Sequence, residues 1–251
     1  MGHHCSDSNN RVPNLEDPTR VGRGKGMNIS EIFYSVQGEG VYTGVPMVFV
    51  RFQGCSLGCV WCDSKYTWGK ESTHALGEMS LTQVLTKVRK LSRPKTKWVC
   101  ITGGEPLEHM QDFIPLVIAL GEEDYRIEVE TSGLITLPSW DTRVWFHVNS
   151  WIPDLKCPGS QTNKQPILED LLRLRKEDQL KCVVTGSRDL NFVKETLMYY
   201  PTEAQVLISP VFNGRGLDKE LAKMCVEWCL KEGWRLSLQT HKFIWGDKRG
   251  V

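Results

Sequence analysis

Three cysteines lie close together in the segment GCSLGCVWCDS (54–64). They are Cys55, Cys59 and Cys62, and their spacing is C-x3-C-x2-C. A structural zinc ion takes four protein ligands and a disulfide takes two, so three thiols in one loop satisfy neither arrangement. Gly54 and Gly58 would let this loop fold tightly around a bulky group. The spacing therefore indicates a metal centre that keeps one position open.

The chemistry of such a centre depends on the metal. Cysteine thiolates hold iron–sulfur clusters, and a [4Fe–4S] cluster has four irons, so three thiolates leave one iron without a protein ligand. That iron could take the amino and carboxylate groups of S-adenosylmethionine. The cluster could then pass one electron to the sulfonium and release a carbon radical. A zinc site with an open position, as in an interaction module, is the alternative that remains.

The other cysteines have a simpler interpretation. The chain holds nine cysteines in total, an odd number spread over its length, which is not typical of a secreted disulfide framework. Cys100 and Cys182 lie in apolar, strand-like runs, whereas Cys225 and Cys229 share the apolar side of a probable helix. We expect buried free thiols at these positions. Chelation by the pair Cys225 and Cys229 stays open.

Composition excludes several classes of protein. The 251 residues are 40% hydrophobic and 24% charged, which is ordinary for a soluble globular protein. A net charge of +1 gives no reason to expect binding to nucleic acid or to a membrane surface. The sequence has no apolar run near the roughly 20 residues of a membrane helix, and no secretory pattern. We therefore expect a cytoplasmic protein.

Strands and helices are predicted to alternate after a polar tail. Residues 1–26 are rich in polar residues, Gly and Pro, which predicts a flexible segment. Apolar runs predict strands at 46–52, 97–102, 125–130, 144–148, 181–185, 205–209 and 235–239. Helical spacing of apolar residues predicts helices at 80–91, 166–176 and 217–230. This alternation indicates parallel β/α units, whose catalytic groups gather at the carboxyl ends of the strands.

A known family shares these features. The cysteine spacing, an aromatic residue (Trp61) before the last cysteine and the segment TGGEP (102–106) after a predicted strand resemble the radical S-adenosylmethionine (radical SAM) enzymes. The resemblance implies an α/β fold, an incomplete TIM-like (β/α) barrel of the radical SAM type. It also implies that residues 27–251 form one radical SAM catalytic domain.

Five segments are similar, within that superfamily, to 7-carboxy-7-deazaguanine synthases. They are EIFYSVQGEG (31–40), residues 49–69, ITGGEP (101–106), VETSG (129–133) and HKFIWGDKRGV (241–251). The similarity implies conversion of 6-carboxy-5,6,7,8-tetrahydropterin to 7-carboxy-7-deazaguanine with loss of ammonia, in 7-deazapurine (queuosine) biosynthesis. It further implies that a 5′-deoxyadenosyl radical takes a hydrogen from C6 of the pterin and later returns it.

An activating enzyme that makes a glycyl radical on a partner protein is the alternative. Such enzymes share the cysteines and GGEP. They do not usually share VQGEG, CDS after the cluster and the basic ending together, so these three segments favour the synthase.

The resemblance also assigns roles to single residues. Cys55, Cys59 and Cys62 would ligate a [4Fe–4S] cluster, and the hydroxyl of Ser64 would ligate Mg²⁺. Implied S-adenosylmethionine contacts are Trp61, Cys62, Asp63, Gly104, Glu130, Ser132, Asp154, Leu155, Lys156, Ser209, Pro210, Val211 and Phe212. Implied substrate contacts are Val36, Gln37, Gly38, Glu39, Arg51, Thr102 and Val251.

Some of these assignments leave questions open. The segment DLK (154–156) stands where relatives often carry SPK, so its register is open. His241 could face the substrate, or it could be a surface or core histidine. Gln37 could offer a donor and an acceptor to the pterin edge. The family further implies a homodimer and a reducing electron donor such as a flavodoxin, with no nucleic acid or membrane partner.

Overall fold

Parallel strands with helices between them build the structure, a computed structural model that describes residues 26–68, 75–213 and 216–251. The strands are β1 (Met27–Val36), β2 (Pro46–Phe52), β3 (Gly77–Met79), β4 (Trp98–Gly103), β5 (Arg126–Thr131), β6 (Val148–Pro153), β7 (Gln179–Val184), β8 (Gln205–Pro210), β9 (Phe212–Asn213), β10 (Gly216–Leu217) and β11 (Arg235–Leu236). The helices are α1 (Leu81–Leu91), α2 (Met110–Glu122), α3 (Arg143–His147), α4 (Ser187–Tyr199), α5 (Lys219–Glu232) and α6 (Thr240–Trp245). Short 3-10 helices occur at Lys65–Thr67, Pro106–His109, Pro158–Ser160 and Leu168–Arg173.

The strand order is that of an open barrel. One sheet has the order β3-β1-β2-β4-β5-β6, in which β2, β4, β5 and β6 run parallel and β1 pairs antiparallel with β2 and β3. A second sheet, β11-β8-β7, is also parallel. The two sheets meet where Asp154 bridges to Lys181, and Leu155 N–H donates to the Lys181 carbonyl at 2.7 Å. The parallel row β2-β4-β5-β6-β7-β8 confirms the predicted incomplete (β/α) barrel.

Helices cover the barrel with their apolar sides. Helix α1 begins at Ser80, whose hydroxyl accepts from Gln83 N–H in a capping box. Its inward residues Val84, Leu85 and Val88 are buried, as their helical spacing predicts. The predicted strands and the helices at 80–91 and 217–230 are confirmed within a few residues, apart from the differences below. Among the residues that the structure describes, no helix is long and apolar enough to cross a membrane.

The predicted strand at 144–148 is wrong, because this apolar run spans two elements. Its first four residues belong to α3, and β6 begins only at Val148. Within α3, Val144 and Trp145 are both buried, whereas Phe146 is 71% exposed. Two adjacent buried residues do not alternate as a half-buried strand would require.

Two further predictions need adjustment, and one strand was missed. The predicted helix at 166–176 is only the 3-10 helix Leu168–Arg173, where a buried carboxylate, Asp170, accepts from Leu137 N–H. That contact fixes the segment to the preceding loop, so a single apolar helical face is not what holds it. The predicted strand at 235–239 is reduced to its first two residues, and β1 has no predicted counterpart. Apart from Gly26, the predicted tail lies outside the described residues.

Two glycines let the turn after β4 lie directly on the cysteine loop (54–64). A Cβ atom on Gly104 would come within 1.9 Å of the Gly54 carbonyl oxygen, and one on Gly103 within 2.5 Å of the Phe52 carbonyl oxygen. At this contact Glu105 N–H donates to the Gly54 carbonyl at 2.9 Å, and Gly104 N–H to the Phe52 carbonyl at 3.0 Å. The GG pair therefore sets the position of the loop, since any side chain would push backbone against backbone.

This contact gives a first prediction. Gly104→Ala should lower the iron bound after anaerobic reconstitution to about half of the wild-type content or less, because backbone overlap cannot be relieved by a side-chain rotation. Gly186→Ala is the matched control, since its added Cβ meets nothing within 4 Å. Iron analysis of both purified proteins, with circular dichroism to check folding, measures the effect. Wild-type iron in Gly104→Ala would contradict the proposed role of the close contact.

Candidate active site

The cysteine loop carries three free thiols between β2 and the 3-10 helix Lys65–Thr67. Cys55, Cys59 and Cys62 share an apolar surrounding with Leu57 and Leu134. Burial raises the pKa of Cys55 to about 11 and also raises the pKa of Cys59. The thiols of Cys55 and Cys59 are therefore protonated at neutral pH in the free chain, and metal binding would displace those protons.

The spacing of the sulfur atoms fits a cluster better than a single ion. Among the described residues, the groups whose ligand atoms all lie within 4.8 Å of one another do not include the sulfurs of Cys55, Cys59 and Cys62. A zinc ion with Zn–S bonds of about 2.3 Å would need its sulfurs closer than this. A [4Fe–4S] cluster binds each thiolate at a different iron and so suits wider spacing. The donor set therefore favours the cluster over zinc.

Glu105 connects the GGEP turn to the next strand. Its carboxylate is fully buried and accepts from Thr131 Oγ1 at 2.8 Å and from Ser132 N–H at 2.6 Å. It also caps the 3-10 helix Pro106–His109 by accepting from Leu107 N–H at 2.9 Å. Our sequence analysis missed this residue, although a carboxylate directly before a proline at a helix start is a recognisable cap. Glu105 therefore fixes the end of β4 relative to the end of β5.

The segment 154–156 lies at the end of β6, beside the cysteine loop. Asp154 N–H donates to the Thr131 carbonyl at 2.9 Å, so the segment is joined to the end of β5. Lys156 Nζ pairs with Asp154 Oδ2 at 2.6 Å and lies 4.8 Å from the centroid of the Trp61 ring. Burial alone would lower the pKa of Lys156, but its interactions with Asp154 and Cys59 together outweigh burial and raise the pKa. A buried cation therefore stands next to the cysteines.

The predicted segment 209–212 lies at the neighbouring strand ends. Ser209 is buried, and its hydroxyl has no hydrogen-bond partner among the described residues. The Phe212 ring meets Phe243 edge to face at 5.6 Å, with Lys242 Nζ 5.3 Å from its centroid. This segment thus borders the site on the side of β8.

Gln37 and Glu130 meet on the floor of the site. Gln37 is only 4% exposed, and its Nε2 atom lies 3.3 Å from Glu130 Oε1. Glu130 Oε2 accepts from Thr102 Oγ1 at 2.8 Å. Sequence analysis assigned Glu130 to the cofactor and its two partners to the substrate, whereas the structure brings all three together. The amide of Gln37 is already engaged by protein groups in this arrangement.

One side chain, Gln239, joins two distant segments. Its Nε2 donates to Glu39 Oε1 and to Asp63 Oδ2, at 2.9 Å each. Lys181 pairs with Glu39, and Lys242 Nζ lies 2.9 Å from Asp63 Oδ2. Burial would raise the pKa of Glu39, but Lys181 and the hydrogen bonds outweigh this effect and lower it. Both carboxylates are therefore held as anions.

These partners were missed because they come from elements far apart in the chain. Gln239 precedes α6, whereas Lys181 lies in β7. Sequence spacing alone carries no signal that brings them together.

His241 packs against the glycine of the QG segment. A Cβ atom on Gly38 would lie 2.1 Å from His241 Nδ1, so no other residue fits there without movement. The neighbouring Thr240 donates through its N–H and its hydroxyl to the Gly38 carbonyl, at 2.9 Å each. Burial lowers the pKa of His241, so the ring is neutral at physiological pH. The chain end is thus docked on residues 37–39.

The last residues lie over Arg51. Arg51 Nε pairs with Glu31 Oε1 at 3.0 Å, and Tyr66 Oη donates to the same oxygen at 2.8 Å. The Arg249 guanidinium lies 3.6 Å from the centroid of the Tyr66 ring and 3.9 Å from Glu31 Oε2. Val251 lines an open groove together with Tyr34, Ser35, Val36, Pro46, Trp245 and Gly250. The C-terminal segment 246–251 is therefore packed against β1 beside the candidate site.

Comparison with known proteins agrees with this geometry. A family model described as the Radical SAM superfamily matches residues 49–141. The chain is 36% identical over 246 residues to a 7-carboxy-7-deazaguanine synthase of Leptospira interrogans, with 89% of this chain and 98% of the relative covered. It is 31% identical to the 7-carboxy-7-deazaguanine synthase of Escherichia coli strain K12, over 86% of this chain and 97% of the relative.

A solved structure gives the same result. The crystal structure of QueE from Escherichia coli superposes with a TM-score of 0.69 at 28% identity, covering 86% of this chain and 94% of that chain. The shared fold and the near full-length sequence similarity agree. The chain therefore belongs to the 7-carboxy-7-deazaguanine synthase family of the radical SAM superfamily.

Proposed function

We propose that this chain converts 6-carboxy-5,6,7,8-tetrahydropterin to 7-carboxy-7-deazaguanine with loss of ammonia, as a step of 7-deazapurine (queuosine) biosynthesis. One observation carries the proposal: Gln239 holds Glu39 and Asp63 together beside the cysteine loop. The segments VQGEG, CDS and the chain end are those that separate synthases from activating enzymes. Their meeting at one site favours a small-molecule substrate over the glycyl radical of a partner protein.

The cluster would be held by Cys55, Cys59 and Cys62. When bound, the cluster and S-adenosylmethionine together supply a carbon-centred radical. The protein's part is to hold the reacting groups and to exclude water while they react. Leu57 and Leu134 serve the second purpose, since both are buried against the cysteines.

S-adenosylmethionine would lie toward β5, β6 and β8. Lys156 offers a buried positive charge to its carboxylate, and Trp61 offers a ring face to its adenine. Ser132 presents a hydroxyl at the end of β5, where its backbone is fixed by Glu105. The remaining cofactor contacts that we propose are Cys62, Asp63, Gly104, Asp154, Leu155, Ser209, Pro210, Val211 and Phe212.

The pterin would lie on the opposite side, over Gln37, Glu39, Arg51, Thr102 and Glu130. The contacts of Glu130 with Gln37 and Thr102 support its assignment to the substrate, in place of the cofactor. Arg51 offers a planar guanidinium that suits a carboxylate. Glu39 and Glu130 lie around one small cavity with Lys181, so carboxyl groups and an ammonium group lie close together, which suits a ligand that carries both kinds of group. Further proposed contacts are Val36, Gly38 and Val251.

Magnesium would be held at Ser64, between the two halves. The Ser64 hydroxyl lies 3.3 Å from Asp63 Oδ1, so an oxygen-rich corner is present. Mg²⁺ prefers oxygen ligands and keeps several waters, so a single protein hydroxyl fits its needs when the substrate carboxylate supplies more oxygens.

Several broader assignments belong to the same proposal. They are a catalytic domain spanning residues 27–251, a cytoplasmic location, a homodimer and a reducing electron donor such as a flavodoxin. Similarity to the family supports them.

The function is tested by anaerobic turnover with the carboxy-tetrahydropterin, followed by the absorbance and mass of the product. Cys59→Ala should lower turnover by more than about 100-fold, because it removes a ligand of the cluster. Cys182→Ala is the control, since this buried thiol lies in β7 away from the loop. Normal turnover by Cys59→Ala, or no deazaguanine from the reconstituted wild type, would refute the proposed function.

The magnesium assignment is tested by Ser64→Ala. The magnesium concentration for half-maximal stimulation should rise about tenfold, whereas S-adenosylmethionine binding should change little. Water can replace part of the lost oxygen, so a weakened response is expected. Ser56→Ala, in the same loop, is the matched control. An unchanged magnesium titration in Ser64→Ala would exclude this ligand.

The role of the chain end is tested by deleting residues 246–251. The substrate KM should rise about tenfold, equivalent to about 1.4 kcal/mol, with more uncoupled 5′-deoxyadenosine, because Arg249 no longer covers Tyr66 and Glu31. Arg249→Ala should reproduce part of the effect. Lys248→Ala, at an exposed position, should not. Wild-type constants and coupling in the truncated protein would mean that the segment is dispensable.

A further inference from the structure

Glu128 is a buried carboxyl group that the proposed function does not use. It lies in the middle of β5, is 0% exposed and is paired in register with Cys100 of β4. Because side chains alternate along a strand, Glu128 and Glu130 point to the same face of the sheet, toward the floor of the site. A second carboxyl group directly beneath Glu130 therefore needs an explanation.

The amide of Gln37 connects the two carboxyl groups. Its Nε2 atom contacts Glu128 Oε1 and lies 3.3 Å from Glu130 Oε1, while its Oε1 accepts from Glu39 N–H at 3.2 Å. The acceptor side of the amide is thus fixed by backbone, and its nitrogen lies among the two carboxyl groups and the Cys100 sulfur. Gln37 can turn only if one of these contacts is lost.

Placing a charge on both carboxyl groups at once is unfavourable in this arrangement. Two carboxylates that share one amide nitrogen repel each other, and burial penalises the charged form further. Glu130 has Thr102 as a second donor, whereas Glu128 Oε2 is buried and has no hydrogen-bond partner among the described residues. The ionisable groups that face Glu128 are Glu130, Cys100, Glu39 and Tyr42. All of them are acids, whereas the cations Arg51 and Lys181 interact with Glu130.

We propose, on the basis of the proposed function, that Glu128 acts as a neutral positioning residue, which holds the Gln37 amide so that Glu130 alone presents a carboxylate to the pterin. The relay runs from Glu128 through Gln37 to Glu130, and Thr102 fixes the far oxygen of Glu130. Burial, followed by the charge of Glu130, raises the pKa of Glu128 from 4.5 to about 8, in agreement with a neutral group at physiological pH.

The raised pKa fixes the sign of two pH effects. The carboxyl group is neutral in the folded protein up to about pH 8 but ionises near 4.5 in the unfolded chain. Folding stability therefore decreases as pH rises between these values. Above about pH 8 the folded group ionises too, and its charge then repels Glu130 and disturbs the Gln37 amide. Substrate binding should weaken in the same range.

The experiment compares the wild type with Glu128→Gln, Glu128→Ala and Glu130→Gln as reconstituted holoenzymes. Glutamine keeps the shape of a neutral carboxyl group, so Glu128→Gln should keep kcat and KM within about threefold at pH 7. Glu128→Ala should raise the substrate KM about tenfold with a smaller change in kcat, because the amide of Gln37 is released. Glu130→Gln should raise KM at every pH, since it removes the carboxylate that meets the substrate.

The pH profile separates positioning from simple support of the fold. The ratio of kcat/KM of Glu128→Gln to that of the wild type cancels the titrations of substrate and cluster, and it should rise as pH passes about 8. A ratio that stays flat, or a Glu128→Gln variant as impaired as Glu128→Ala, would overturn the proposal. Loss of a stoichiometric metal ion in Glu128→Gln would also overturn it, because Cys100, Glu128 and Glu130 would then be ligands.

Thermal unfolding at several pH values needs no substrate and is independent of the proposed function. The melting temperature of Glu128→Gln should exceed that of the wild type at pH 8, and the difference should vanish below the ordinary pKa of 4.5. A difference that does not change with pH would overturn the neutral state of Glu128. If the pterin is not converted at all, the proposed function fails. The pH dependence of the melting temperatures would still show whether Glu128 is protonated in the folded protein.

Discussion

The close contact between two backbone segments governs the whole site. The GG pair at the end of β4 leaves no room for a Cβ atom against Phe52 and Gly54, and two amide–carbonyl hydrogen bonds join the same segments. Glu105, directly after the pair, then fixes the end of β5. The cysteine loop and the ends of β4 and β5 are therefore fixed relative to one another. A fully buried carboxylate is tolerated at Glu105 because hydrogen-bond donors surround it.

Charge organises the other half of the site. Glu39, Asp63, Lys181 and Lys242 form ion pairs that Gln239 joins, so that segments from both ends of the chain meet. Such partly buried pairs contribute little net stability, because desolvation offsets most of their attraction. Their value lies in orientation, since a ligand with both a carboxylate and a guanidine-like edge finds anions and cations already in place. On the same face of β5 as Glu130, Glu128 adds a carboxyl group that we propose is neutral at physiological pH.

The sequence predicted those parts of the molecule whose cause is local. The strands 46–52 and 205–209, the helix at 80–91 and the buried Cys182 follow from spacing and burial preference. The strand predicted at 144–148 was wrong, because composition cannot show that one apolar stretch contains the end of a helix and the start of a strand. Glu128, Gln239 and Lys181 could not be assigned, because their roles arise only when strands and chain end meet in space. For the same reason the contacts of Glu130 with Gln37 and Thr102 could not be predicted from spacing along the chain.

We propose that the site has two halves, with S-adenosylmethionine beside Lys156 and the pterin over Glu130. The most direct measurement is a crystal structure of the reconstituted protein with both ligands, grown without oxygen. We predict that the cofactor carboxylate lies near Lys156 Nζ, and that the pterin contacts Glu130 and Arg51 beneath Gln239. Density for the pterin away from Glu130, or for the cofactor on the side of Glu39 and Arg51, would contradict the account.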